Sequence, residues 1–187
     1  AAPRCLSDRA TADRATRKPR ITPTSIMQIV EQKIVGKKSL ATCEDAIVVT
    51  PDFVAVIDGS TSKTDKRISD HYSNGQLCAR TVGHCIATMD SATDCRGFCQ
   101  MVTRQVAALY SESQRAQLQA HPHLRATASA LIYSRLRHEV WLVGDCQCLI
   151  DGQLYTNEKP SEHAIALERA RVIRQALDRG LYTVDEL

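Results

Sequence analysis

Residues 43–63 read CEDAIVVTPDFVAVIDGSTSK, with two apolar runs, 46–50 and 53–57, on either side of Pro51-Asp52. Both runs are rich in Val and Ile. Apolar runs of this length bounded by turn residues predict strands buried on both faces. Proline presets φ and aspartate tolerates turn geometry, so Pro51-Asp52 predicts a tight reversal between them. A two-residue turn at that point places Asp45 opposite Asp58, with their Cα atoms roughly 4.5–5.5 Å apart. Like charges facing across a ladder destabilise it unless something neutralises them. A divalent cation is the usual remedy, because hard cations take carboxylate and carbonyl oxygens. The end of this hairpin is therefore a candidate metal site.

Outward from the hairpin, the 187 residues suffice for one domain with a sizeable core, and 43% hydrophobic with 24% charged residues is ordinary for a globular chain. Aromatics make up only 4%, so aliphatics, alanine and cysteine must fill the interior. The net charge of +3 is too small to argue for a nucleic-acid partner, and it is concentrated. Residues 1–26 hold six Lys/Arg against two Asp, which leaves about −1 for the remainder. That Arg/Thr/Ala/Pro-rich segment is read as a disordered basic tail, or an artefact ahead of Met27, and residues 27–187 as the domain. On that reading a chain beginning at Met27 melts within a degree or two of the full one.

Eight cysteines raise the question of disulfides. Cys78, Val82, Cys85 and Met89 make one helical stripe, and Cys95, Cys99, Val102, Val106 and Leu109 another. Reduced cysteine acts as a small hydrophobe in such positions, which predicts free thiols and a cytoplasmic, reducing setting. No stretch resembles a membrane span.

The remaining elements follow from pattern. A first strand is expected over 29–35, and a polar loop over 60–74. Helices are expected over 75–89 and 93–112, and a loop over 113–125. Strands are expected over 126–134 and 139–150, the second leading into the hairpin dipeptide Asp151-Gly152. In that second strand Asp145 is a charge amid buried positions, which is costly unless paired or metal-bound. A final helix starts after Pro160 and stops near Gly180, with the stripe Ala166, Ala170, Ile173, Leu177 awaiting a cover.

Taken in order, Glu44-Asp45-Ala46, Phe53-Val54-Ala55-Val56-Ile57-Asp58-Gly59, the run Ala126-Thr127-Ala128-Ser129-Ala130-Leu131-Ile132, and Val143-Gly144-Asp145-Cys146-Gln147-Cys148-Leu149 resemble the metal-dependent type 2C Ser/Thr protein phosphatases. The resemblance implies an α+β fold, a four-layer α/β/β/α sandwich of two stacked sheets with helices outside. Residues 27–187 would be its N-terminal portion, incomplete at the C-terminus. It also implies two Mg²⁺ or Mn²⁺ ions that activate a water to hydrolyse phosphoserine or phosphothreonine on a phosphoprotein substrate. By position, Asp58 would bridge the metals, the Gly59 carbonyl would bind one, Glu44 and Asp45 would hold metal-bound waters, and Asp145 would serve a peripheral ion.

Three departures temper what the resemblance implies. Ser60-Thr61-Ser62 follows Asp58-Gly59 where the family often has His-Gly-Gly. Leu40 replaces its phosphate-gripping arginine, leaving Lys37 and Lys38 as the nearest cations. Its later acidic motifs have no counterpart. Weak or no activity of this chain is therefore expected, with a non-catalytic type 2C-like binding or regulatory module as the alternative. A haloacid-dehalogenase-type reading of Val56-Ile57-Asp58-Gly59 fails because Val56 stands where that chemistry needs a nucleophilic aspartate.

Overall fold

The computed structural model describes residues 3–7, 27–62, 64–157, 160–181 and 183. The predicted hairpin is its spine. Strand β2 (Asp45–Val49) pairs antiparallel with β3 (Phe53–Gly59) in the expected register, Asp45 opposite Asp58 and Val49 opposite Val54. Thr50 closes the turn: its N–H donates to Phe53 O at 2.8 Å, and its hydroxyl accepts from Phe53 N at 2.9 Å.

Helices α1 (Asn74–Thr88) and α2 (Cys95–Ala108) follow, then α3 (Glu112–Ala120). Strands β4 (Ala128–Ser134) and β5 (Glu139–Val143) complete an antiparallel sheet whose other edge strand is β1 (Arg4–Ser7), in the order β1-β5-β4-β3-β2. A separate ribbon pairs β6 (Cys148–Ile150) with β7 (Gln153–Tyr155), and α4 (Pro160–Asp178) ends the described chain. The class is α+β, as expected.

The core lies between the sheet and the α1/α2 pair. Strand alternation turns Phe53, Ala55 and Ile57 of β3, Ala130 and Ile132 of β4, and Trp141 of β5 toward the helices. There they meet Ala79, Val82 and Ile86 of α1 and Phe98 of α2. Trp141 is fully buried, with the Phe98 and Phe53 rings 6.0 and 6.1 Å from its own. Cys78 and Cys85 are buried on α1, as the helical stripe predicts, and all eight cysteines are free.

Several expectations need correction. Residues 4–7 are not tail: they hydrogen-bond to β5, with Cys5 opposite Trp141 and Leu6 opposite Val140. The rest of the proposed tail, residues 8–26, lies outside the described residues. Residues 29–35 form no strand; Val30 is 92% exposed and Val35 67%, and the segment joins no sheet among the described residues. The supposed loop 113–125 contains α3. Its helix is almost wholly polar and starts from a capping box, Ser111 with Gln114, rather than from an apolar stripe.

The long strand 139–150 is broken. Gly144 takes φ +89° and ends β5, so Asp145 sits exposed in a bend and not within a buried strand. The α4 stripe stays uncovered, with Ile173 42% exposed, and Gly180 at φ +65° terminates that helix as expected.

The edge pairing gives a first prediction. Removing β1 strips hydrogen bonds from the strand that carries Trp141. A chain beginning at Met27 should therefore lose on the order of 1 kcal/mol, a Tm drop of about 2–4 °C at this chain length. A melt that does not shift would mean that β1 contributes nothing to stability.

Candidate functional site

The two ends of the central hairpin differ sharply in charge. At the turn end, Asp52 is neutralised. The Arg135 guanidinium donates to its carboxylate at 2.6 Å and to Pro51 O at 2.8 Å, while the Arg135 amide donates to Asp52 O at 2.9 Å. At the other end, carboxylates accumulate. Asp45 faces Asp58, which in turn pairs with Ser129 of β4. The Ser129 hydroxyl donates to Asp145 Oδ1 at 2.5 Å, and the Asp145 amide donates back to that hydroxyl at 3.4 Å. Asp45, Asp58, Ser129 and Asp145 thus form a row across one end of the sheet.

Electrostatics follow from that row. Partial burial, then the charge of Asp45, a hydrogen bond to Asp45, and the charge of Asp145 push the Asp58 carboxyl above the ordinary aspartate value, while Lys37 pulls it down. Asp58 is itself exposed, so solvent screens part of the effect. The Cys146 thiol registers the same field. Burial pushes it up to about 11, aided by the charges of Asp58, Asp145 and Asp45. The Cys43 thiol donates to Asp45 Oδ2 at 3.5 Å.

Glu44 is placed differently from its neighbour. Alternation along the strand sends its side chain to the face opposite Asp45. There its carboxylate accepts from the Thr61 hydroxyl at 2.8 Å and from the Ser73 hydroxyl. Ser73 is the N-cap of α1, so Glu44 lies at a helix N-terminus, where partial positive charge favours it.

Gly59 explains why the helix can start so near. A Cβ there would lie 2.4 Å from Gly75 O and 2.5 Å from Glu44 O, both backbone atoms. Gln76 ties the preceding segment to the helix by donating to Ala41 O at 2.9 Å and Cys43 O at 3.1 Å.

The predicted site residues therefore divide. Asp45, Asp58 and Asp145 share one field with Lys37; Gly59 is the close-packing point between strand and helix; Glu44 serves the cap of α1; Lys38 is exposed. Ser129, which holds Asp145 in the row, was missed. Its signal was the pairing of β3 with a second strand, which local pattern does not give.

Facing carboxylates are the oxygen donors that hard cations such as Mg²⁺ or Mn²⁺ take. Among the described residues, however, no group of three or more His, Cys, Asp or Glu side chains is arranged to hold a metal ion. Among the described residues the site is one facing pair rather than a closed cage, which does not fit the two-ion set implied by the resemblance. No described helix is long and apolar enough to cross a membrane.

No family model and no curated protein matches this chain. Among solved structures it is similar to the Mycobacterium tuberculosis serine/threonine phosphatase PstP/Ppp, at 16% identity with a TM-score of 0.38. The match covers 99% of this chain and 61% of that one, so the chain spans about three fifths of that structure's length.

Two predictions arise from the row. A carboxyl whose folded pKa lies above its unfolded value binds more protons in the native state, so it lowers stability as pH rises. For Asp58 that loss should begin near the unfolded aspartate pKa, about 3.9, and finish once pH passes its raised folded value. Asp58→Asn should lack that component, so chemical denaturation across this range should show wild type losing ground to the variant as pH rises. Parallel curves would contradict the shift.

The second prediction concerns Gly144. A Cβ there would meet Ser129 Oγ at 2.2 Å, whereas one at Gly152, φ +79°, meets nothing within 4 Å. Each alanine variant pays roughly 1–2 kcal/mol for its backbone conformation. Gly144→Ala should cost measurably more than Gly152→Ala, and equal losses in denaturant titrations would remove Ser129 from the argument.

Proposed function

We propose that this chain is part of a metal-dependent phosphatase-like domain, with Asp45 and Asp58 as the pair that takes a Mg²⁺ or Mn²⁺ ion. The observation that carries the reading is the confrontation of those carboxylates across the β2–β3 ladder, with Asp58 held above its ordinary pKa. A divalent cation at that pair would lower the pKa of coordinated water, the chemistry that phosphate-ester hydrolysis near neutral pH requires.

The chain's own residues divide the remaining work. Asp45 and Asp58 bind and orient. Ser129 fixes Asp145 beside them and so adds to the negative field that attracts a cation. Lys37 lies close enough to influence Asp58, and its ammonium suits a phosphate group as a point charge. The ordered motifs that resemble type 2C phosphatases support phosphoserine or phosphothreonine in proteins as the substrate class. A non-catalytic binding module would share the fold and the pair but turn nothing over.

The test is a thermal melt of wild type and Asp58→Asn, with and without Mn²⁺, beside a phosphopeptide hydrolysis assay. Metal at a hundredfold excess over its Kd stabilises by about 2.7 kcal/mol. Wild type should rise in Tm at millimolar Mn²⁺ and release phosphate slowly, and Asp58→Asn should do neither. A metal response without phosphate release would favour the binding module. Equal metal responses in both proteins would remove the site.

A further inference from the structure

Between α1, α2, α3 and the entry to β4 lies a cavity of about 480 Å³. Small-molecule sites occupy roughly 300–1,000 Å³. The residues that meet there explain the space. Val82 of α1, Val102 and Val106 of α2 and Leu118 of α3 supply an apolar lining. Leu118 is the only large aliphatic side chain in α3, and Ala107, Ala126 and Ala128 are too short to fill what remains.

Three hydrogen-bond donors share that lining and are tied to one another through the backbone. The Tyr110 hydroxyl accepts from the Ala126 amide at 2.7 Å, and Arg125 immediately precedes Ala126. The Ala107 carbonyl accepts from the Tyr110 amide at 3.4 Å and from Arg115 Nε at 3.1 Å. Tyr110 is only 8% exposed. Burial pushes its phenol up, against the Ala126 amide and the charge of Arg125, so it keeps its proton. Among the described residues that O–H meets no acceptor.

The arginines are also underused. Arg115 gives one N–H to Ala107 O, and Arg125 gives one to Leu118 O at 3.2 Å. Among the described residues neither meets a carboxylate. Both are exposed although they line the cavity, which places them at its opening.

We propose that this cavity binds a small organic carboxylate, with its apolar body among Val82, Val102, Val106 and Leu118 and its charge held by Tyr110, Arg115 and Arg125. The guanidinium fork matches the two oxygens of a carboxylate, and the phenol O–H supplies one further charge-assisted bond. No described residue that lines the cavity is acidic, so nothing there repels an anion. The cavity lies on the helix side of the sheet, whereas strand alternation turns Asp58 to the other face. The proposal therefore stands or falls apart from the metal reading.

The test titrates the full-length protein, by calorimetry and by methyl NMR, with 3-phenylpropionate, the neutral 3-phenylpropanol and the dianionic 3-phenylpropyl phosphate. The carboxylate should bind about tenfold more tightly than the alcohol, the ratio that one hydrogen bond to a charged group supplies. Its shifts should centre on the Val82, Val106 and Leu118 methyls. Arg125→Gln should remove most of that tenfold advantage and leave alcohol binding unchanged. An absence of binding by every probe at millimolar concentration, an alcohol that binds as well as the carboxylate, or a phosphate that binds more tightly would each overturn the proposal. So would shifts centred elsewhere, or an Arg125→Gln protein that holds the carboxylate as tightly as wild type. The three wild-type titrations decide the matter even if the variant fails to fold.

Discussion

The turn closed by Thr50 sets one register for the β2–β3 ladder, and the rest of the molecule depends on that register. Side chains alternate with period two, so a slip of one residue would send Phe53, Ala55 and Ile57 to the wrong face. With the register as it is, those three side chains are 1–2% exposed and form the floor on which α1 and α2 rest. Burying them is worth several kcal/mol at about 25 cal/mol per Å² of apolar surface. The same register forces Asp45 against Asp58. Their repulsion near solvent is on the order of 1 kcal/mol. Core burial therefore wins, and the ladder carries a charge conflict at its end as a by-product of the packing that defines the fold.

Neighbouring elements manage that charge in contrasting ways. At the turn end, Arg135 reaches back from the β4–β5 connection and neutralises Asp52. Glu44 is absorbed by two hydroxyls at the start of α1, an approach that Gly59 and Gly75 permit because neither carries a Cβ. At the site end, Ser129 draws Asp145 toward the pair and increases the negative field. One pole of the sheet is thus neutralised by Arg135, and the other gathers three carboxylates in one field with Lys37. The functional reading of Asp45 and Asp58 rests on their confrontation across the ladder.

Much of this was legible in the sequence because the decisive features are local. Two apolar runs and a Pro-Asp turn define a hairpin, and arithmetic then pairs the aspartates. Helical stripes located Cys78 and Cys85 correctly. What escaped the reading is non-local or runs against composition. β1 has only four residues, and nothing near it in sequence announces that it pairs with β5. Conversely, residues 29–35 have strand-like composition but pair with no strand among the described residues. The α3 helix lacks an apolar stripe, although Ser111-Glu112-Ser113-Gln114 carried a capping-box signature that could have revealed it. Gly144 was the visible warning that 139–150 would not run as one strand, since glycine within a strand often marks a break. Its left-handed φ is what frees Asp145 to meet Ser129 and join the row.

The central claim is that Asp58 is held above its ordinary pKa by its surroundings and by Asp45, and that a hard cation relieves this. Carbon-13 NMR of the Asp58 side-chain carboxyl, followed through a pH titration with and without Mg²⁺, reads both halves at one atom. The account predicts a midpoint above the usual aspartate value in metal-free protein and a fall in that midpoint when Mg²⁺ is added. An ordinary midpoint that Mg²⁺ leaves unmoved would contradict it.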